Sequence, residues 1–212
     1  MTVQAERIIE TPACVAEGAD WLAAREPRFS AALALTGPLP LRRRGDGFDA
    51  LLSAIVSQQV SIAAAAAIWG RLQGAGLTDP DALRAAPDEA LRAVGLSRQK
   101  VRYARALAEA DLNYPALRSA PTEAVVAELV ALPGIGRWTA EIYAMFSLGR
   151  ADVFAPADLA LQEAARLLFE LPDRPREAGL RRMAQAWSPW RAVAARLLWA
   201  YYRVAKDREG VR

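Results

Sequence analysis

Residues 132–137 read Leu-Pro-Gly-Ile-Gly-Arg, a pair of glycines around one apolar residue directly after a proline. Such a string turns the chain sharply, because glycine takes positive φ without steric cost and leaves backbone N–H groups uncovered. A helix is expected at once afterwards, since Ile135, Trp138, Ile142, Met145 and Phe146 recur at steps of three and four and form one apolar face. The preceding stretch, 121–131, is also helical in pattern, with Thr122 as the expected cap. Two helices joined by a glycine hairpin therefore anchor the reading of everything else.

Taken alone, Gly-Ile-Gly is a tight turn of an all-α protein. It also has a chemical use: amides at a helix N-terminus attract anions, and a phosphate of a nucleic-acid backbone suits them without any base being read.

Composition excludes more than it selects. The 212 residues contain no histidine, which rules out Ser/His and Cys/His nucleophile pairs, histidine metal sites and imidazole bases. The single cysteine, Cys14, permits no intrachain disulfide and no iron–sulfur or zinc cluster, and suits a reducing cytosol. With 53% hydrophobic residues the chain can bury one sizeable core or two small lobes. A formal charge of +3 and a pI near 9.3 permit a nucleic-acid partner without demanding one. No signal peptide is visible at the N-terminus, and no apolar run approaches the ~20 residues that span a bilayer.

Along the chain, 6–10 is ambiguous and 13–36 is helical with a break near Pro27. The string Gly-Pro-Leu-Pro-Leu-Arg-Arg-Arg-Gly-Asp-Gly over 37–47 marks a connection between lobes, and Arg42, Arg43 and Arg44 are either a solvated loop or a phosphate contact. Residues 48–72 form a long helix candidate with Ile62 among its apolar positions, interrupted chemically by Ser57, Gln58, Gln59 and Ser61. Those polar groups would be wasted in a core, so they mark a helix bend or a patch facing solvent or ligand. Short helices follow over 78–113, one of them capped by Ser97, with Arg98, Arg102 and Arg105 in a stripe on one face. No run of strands is evident, and an all-α fold is expected.

Past the hairpin, Asp158 precedes a helix over 159–169, where an aspartate is first of all an N-cap. Near the C-terminus, Ser188 is the expected cap of a last helix, with Pro189 at its first position.

The ordered set of strings resembles the helix-hairpin-helix DNA glycosylase superfamily, in particular its alkylated-purine branch, the 3-methyladenine DNA glycosylases. LPGIGRWTA with DVFAPADLALQ carries the resemblance, and IVSQQVS at 55–61, GLSRQK at 95–100 and WSPWRAVAARLLW at 187–199 support it. It implies two helical subdomains, 47–150 with the hairpin and 1–46 plus 151–212, with an active site in the cleft between them. Relatives often carry an N-terminal α/β domain, and the chain resembles a short form without it.

By the same resemblance Asp158 is the essential catalytic carboxylate. Gly134, Ile135, Gly136, Arg137 and Thr139 would hold the DNA backbone, with Gln58 and Gln59 at the minor groove. Gln59 would fill the gap left by an extruded nucleotide, although some relatives carry a bulky apolar wedge there. Trp138 and Trp199 would stack on the base, with Ile142 and Tyr143 as further pocket candidates, whereas Trp187 and Trp190 are assigned to core packing. Bifunctional relatives carry a lysine where Trp138 stands, so a monofunctional enzyme without a Schiff base is implied. An alkylated purine is cationic and a good leaving group, and Asp158 would stabilise the oxocarbenium-like sugar rather than donate a proton.

The implied function is hydrolytic excision of 3-methyladenine and 7-methylguanine from double-stranded DNA in base excision repair. The expected protein is a monomer, without membrane association, at the nucleoid of a bacterial cytoplasm. No cofactor or metal is expected; some relatives hold a monovalent cation on the hairpin carbonyls, and the sequence leaves that open. The alternatives are a glycosylase for deaminated bases or ethenoadenine, a non-catalytic DNA-binding module, and, more remotely, a protein-interaction bundle.

Overall fold

The computed structural model describes residues 6–208. In order, the helices are α1 (Pro12–Ala23), α2 (Pro27–Thr36), α3 (Phe48–Val56), α4 (Ile62–Gly74), α5 (Pro80–Ala85), α6 (Asp88–Ala93) and α7 (Arg98–Glu109). They continue with α8 (Tyr114–Ser119), α9 (Thr122–Val130), α10 (Arg137–Phe146), α11 (Leu159–Leu168), α12 (Glu177–Met183), a 3-10 turn over Ala184–Trp187, and α13 (Arg191–Arg208). The fold is all-α: among the described residues the sole β-type pairing is an isolated antiparallel bridge between Ile8 and Arg150. No helix among them is long and apolar enough to cross a membrane.

The chain divides into two compact units, Met1–Arg43 with Ala144–Arg212 and Arg44–Tyr143. The second division falls inside α10, ahead of residue 151, for a reason visible in the backbone. Ile9 N–H donates to the Gly149 carbonyl at 2.7 Å and Ala151 N–H donates to the Arg7 carbonyl at 3.0 Å. Residues 7–9, ambiguous in composition, are thereby held extended against 149–151.

In the discontinuous unit α13 is the central element, packed against α1, α2 and α11. Gly18 permits the approach of α1, since a Cβ there would lie 2.6 Å from Trp190 Cε3 and 2.7 Å from Val193 Cγ2. Trp187 meets Phe29, Phe154 and Phe169 at centroid separations of 5.4, 5.3 and 5.8 Å. Both Trp187 and Trp190 are buried, as core residues are. Ser188 does not cap α13. Its hydroxyl donates to Asp152 Oδ2 at 2.8 Å, and Asp152 also accepts the Arg191 guanidinium at 2.6 Å and the Arg191 backbone N–H. A carboxylate distant in sequence thus serves the first turn of the last helix.

In the other unit α7 packs against α3, α5 and α6. Ser97 caps it, accepting the Lys100 N–H at 3.2 Å. The arginine stripe is partly spent on structure: Arg105 donates to the carbonyls of Leu83, Arg84 and Ala86 and to Asp88. Thr122 is the first residue of α9 and is buried; Pro121, not Thr122, stands at the cap. The long helix expected over 48–72 is two helices. Ser57 folds its hydroxyl back on the Ser53 carbonyl at 2.8 Å, Gln59 takes φ +55°, and Ser61 restarts the helix by accepting the Ala64 N–H at 3.2 Å. Ile62, expected in the core, is 91% exposed at the first position of α4.

Candidate active site

The hairpin between α9 and α10 is shaped by one glycine and left open by the other. Gly134 has φ +88°, and a Cβ on it would fall 2.3 Å from Cγ of Tyr103, inside the ring's own volume. Gly136 has no positive φ; apart from its chain neighbours, no atom of the described residues lies within 4 Å of where its Cβ would be, so a ligand can approach the backbone there. Ala140 N–H donates to the Gly136 carbonyl at 3.0 Å, so the helix begins at that glycine. The first turn of any helix offers N–H groups that its own ladder does not use.

The residues assigned to this surface divide by exposure. Arg137 is exposed and bonds to Glu141 at 3.0 Å and Glu123 at 3.1 Å. Ile135 and Thr139 are buried, so their side chains belong to the packing and only their backbone can serve a ligand. Gln58 does not extend into solvent: its Nε2–H donates to the Gly134 carbonyl at 2.8 Å. Gln59 is exposed, next to Val60 at 39% and Ile62 at 91% exposure, two apolar side chains at this turn whose exposure the sequence pattern did not reveal. A cavity of about 460 Å³ borders the turn and the hairpin, lined by Gln58, Gln59, Ser97, Lys100, Tyr103 and Gly134 among others.

On α10, Trp138 is 43% exposed and Ile142 half-buried, both available to a ligand. Tyr143 is not: it is buried, and its hydroxyl accepts the Gly47 N–H at 3.1 Å. Burial pushes the phenol above its ordinary value, so it stays neutral. The resemblance that makes it a pocket candidate beside Ile142 is corrected: Tyr143 is a packing residue, one step round the helix and turned inward.

Asp158, half-buried, stands at the mouth of α11. Its Oδ1 accepts three donors: the N–H groups of Ala160 at 2.9 Å and Leu161 at 3.0 Å, and the Trp199 indole Nε1–H at 3.2 Å. The capping role is therefore real, and the indole adds a bond that capping does not require. Behind the loop, buried Gln162 donates Nε2–H to the Pro156 carbonyl at 2.8 Å and pins the approach to Asp158. Trp199 is half-buried and leans against Phe146, with centroids 5.8 Å apart and planes 33° apart. Below them Arg196, 1% exposed, donates to the carbonyls of Leu41 and Ala192 and lies over Phe146, 4.8 Å from its centroid. Burial, with Arg42 and Arg43 nearby, lowers its pKa to about 10.

The hairpin carbonyls that a monovalent cation would need are partly committed: Gly134 accepts Gln58 and Leu132 accepts the Ile135 N–H at 3.1 Å. Among the described residues no group of three Asp, Glu or Cys side chains is gathered as for a metal ion.

Fold and site define an all-α helix-hairpin-helix protein with a glycine turn open at Gly136 and a carboxylate held at a helix mouth. The chain belongs to the HhH-GPD superfamily of base excision DNA repair proteins, whose model matches residues 52–191. It is 31% identical over 174 residues to the DNA-3-methyladenine glycosylase 1 of Schizosaccharomyces pombe, covering 78% of this chain and 76% of that one. A structure of the 3-methyladenine DNA glycosylase of the same yeast in complex with abasic DNA superimposes with a TM-score of 0.74 at 28% identity, over 86% of this chain and 95% of that one. The DNA-3-methyladenine glycosidase of Bacillus halodurans gives a TM-score of 0.83 at 32% identity, over 96% and 95% of the two chains. Against the DNA-3-methyladenine glycosylase 2 of Escherichia coli, 33% identical over 168 residues, 73% of this chain is covered and the match spans only 57% of that protein.

Proposed function

We propose that this chain is a monofunctional DNA glycosylase that hydrolyses the N-glycosidic bond of alkylated purines, 3-methyladenine and 7-methylguanine, in base excision repair. The observation that carries the reading is Asp158, a carboxylate fixed by two amides and an indole beside an aromatic pair. A cationic purine leaves readily, so the enzyme's part is to stabilise positive charge on the sugar and to orient a water. A carboxylate whose one oxygen is held by three donors needs no reorganisation when that charge develops.

Trp199, adjoining Asp158, is the first stacking face assigned to the cationic base, and Trp138, exposed on α10, is the second. An indole–cation stack is worth ~0.5–2 kcal/mol, enough to prefer an alkylated base but not to define one lesion strictly. The hairpin backbone from Gly134 to Thr139 holds a DNA phosphate, with Arg137 adding charge, and Gln59 occupies the space of the extruded nucleotide. With Trp138 where a Schiff-base lysine would stand, the product is an intact strand with an abasic site.

The test is incubation of the purified protein with methylated duplex DNA, reading released bases by chromatography and strand integrity on a denaturing gel. Release of 3-methyladenine with strands that break only after alkali supports the reading. Release solely from deaminated or ethenoadenine DNA moves it to another lesion; DNA binding without release moves it to a binding module.

A further inference from the structure

The turn between α3 and α4 is held more firmly than a simple connection needs. At its entry Lys100, 9% exposed, donates Nζ–H to the Val56 carbonyl at 2.6 Å, at the C-terminal end of α3. At its exit Ser61 caps α4. Between them Gln58 reaches across 76 residues of sequence to the Gly134 carbonyl. That carbonyl belongs to the one hairpin residue that cannot carry a side chain, because Tyr103 fills the space. The next residue, Gln59, is exposed and held at φ +55°, a conformation that non-glycine residues keep only when the surroundings impose it. A side-chain bond therefore joins the turn that presents Gln59 to the hairpin.

We infer that Gln58 is a positioning residue that acts through Gln59. Its amide fixes where the Gln59 side chain stands relative to the hairpin amides, so that the phosphate grip and the filling of the vacated stack stay in register. The partner is a carbonyl, so the side chain must donate: glutamate would set a carboxylate against a carbonyl oxygen, and methionine, of similar length, would leave that oxygen unbonded. The role rests on the reading that the hairpin grips DNA and Gln59 fills the gap.

A double-mutant cycle tests it. Single-turnover release of 3-methyladenine at saturating enzyme is measured for wild type, Gln58→Met, Gln59→Ala and the pair, with melting temperature and affinity for an abasic duplex alongside. Nucleotide extrusion is followed in parallel by 2-aminopurine fluorescence. The expected result is a rate about tenfold lower for Gln58→Met with affinity nearly unchanged, and no further loss when it is added to Gln59→Ala. Gln58→Glu should behave as Gln58→Met does. Additive losses, a loss that persists in the Gln59→Ala background with a lowered melting temperature, or wild-type rates in either single variant overturn the proposal. If wild type releases no alkylated base the functional reading fails by itself, and the fluorescence cycle still decides the coupling.

Discussion

The hairpin and the acid site are built from opposite materials. Around Gly134 the atoms proposed to act are backbone, and the side chains nearby serve to shape it: Tyr103 forbids a Cβ, and Gln58 ties the carbonyl. Around Asp158 the atoms proposed to act are one side chain, and the backbone serves to hold it, through the amides of Ala160 and Leu161. Gripping a phosphate requires only exposed amides in a fixed curve, so shape is what a mutation would destroy. Stabilising a sugar cation requires a charge, so the charge and its orientation are what a mutation would destroy.

The contrast is broken most severely at Gly134. Gly134→Ala must accept both positive φ and a clash with the Tyr103 ring, and should destabilise the protein by about 2–4 kcal/mol. Chemical denaturation with parallel DNA-binding measurements checks it, and binding should fall while any residual base release keeps its pH dependence. At the acid site the matching change is Trp199→Phe, which keeps an aromatic ring but removes the indole donor from Asp158. One lost charge-assisted bond predicts a single-turnover rate about tenfold lower with little change in DNA affinity. Loss of affinity without loss of rate would reverse the assignment.

Asp152 tests whether a carboxylate can have a purely structural role in the same unit. Burial acts to raise its pKa, but the bonds from Arg191 and Ser188 outweigh it and hold the carboxylate below the ordinary aspartate range. The folded value is depressed, so this stabilisation is fully present above the ordinary range and is lost as pH falls through the lower, folded value. Asp152→Asn should cost about 1 kcal/mol or less near neutrality and flatten the acid limb of a melting-temperature profile, with base release nearly intact. The smallest effect on stability is expected at Gln59. Gln59→Gly relieves the left-handed backbone but adds chain entropy to the unfolded state, so thermal stability should stay within about 0.5 kcal/mol while base release slows.

What the sequence disclosed follows from range. Hairpin, Ser97 cap and Asp158 cap are patterns of three or four residues, and each could be seen in the string alone. The bonds that decide roles span long separations: Gln58 to Gly134 over 76 residues, Trp199 to Asp158 over 41, Arg191 to Asp152 over 39. No periodicity encodes them. Ser188 gives its hydroxyl to Asp152, which no local pattern shows, and the resemblance that places Thr139 and Tyr143 on surfaces names positions without saying what covers them. Gln162, one turn into α11, carried no signal beyond being a glutamine, yet it is buried and fastens the loop before Asp158.

The most direct test is base release from methylated duplex DNA by wild type and by Asp158→Asn, with folding and affinity for abasic DNA measured on both. Asparagine keeps the size and a capping oxygen and removes the charge. The account predicts a folded variant that binds DNA as wild type does and releases 3-methyladenine at least about a hundredfold more slowly. A variant that releases the base at the wild-type rate would contradict it, and Asp158 would then be no more than the cap of α11.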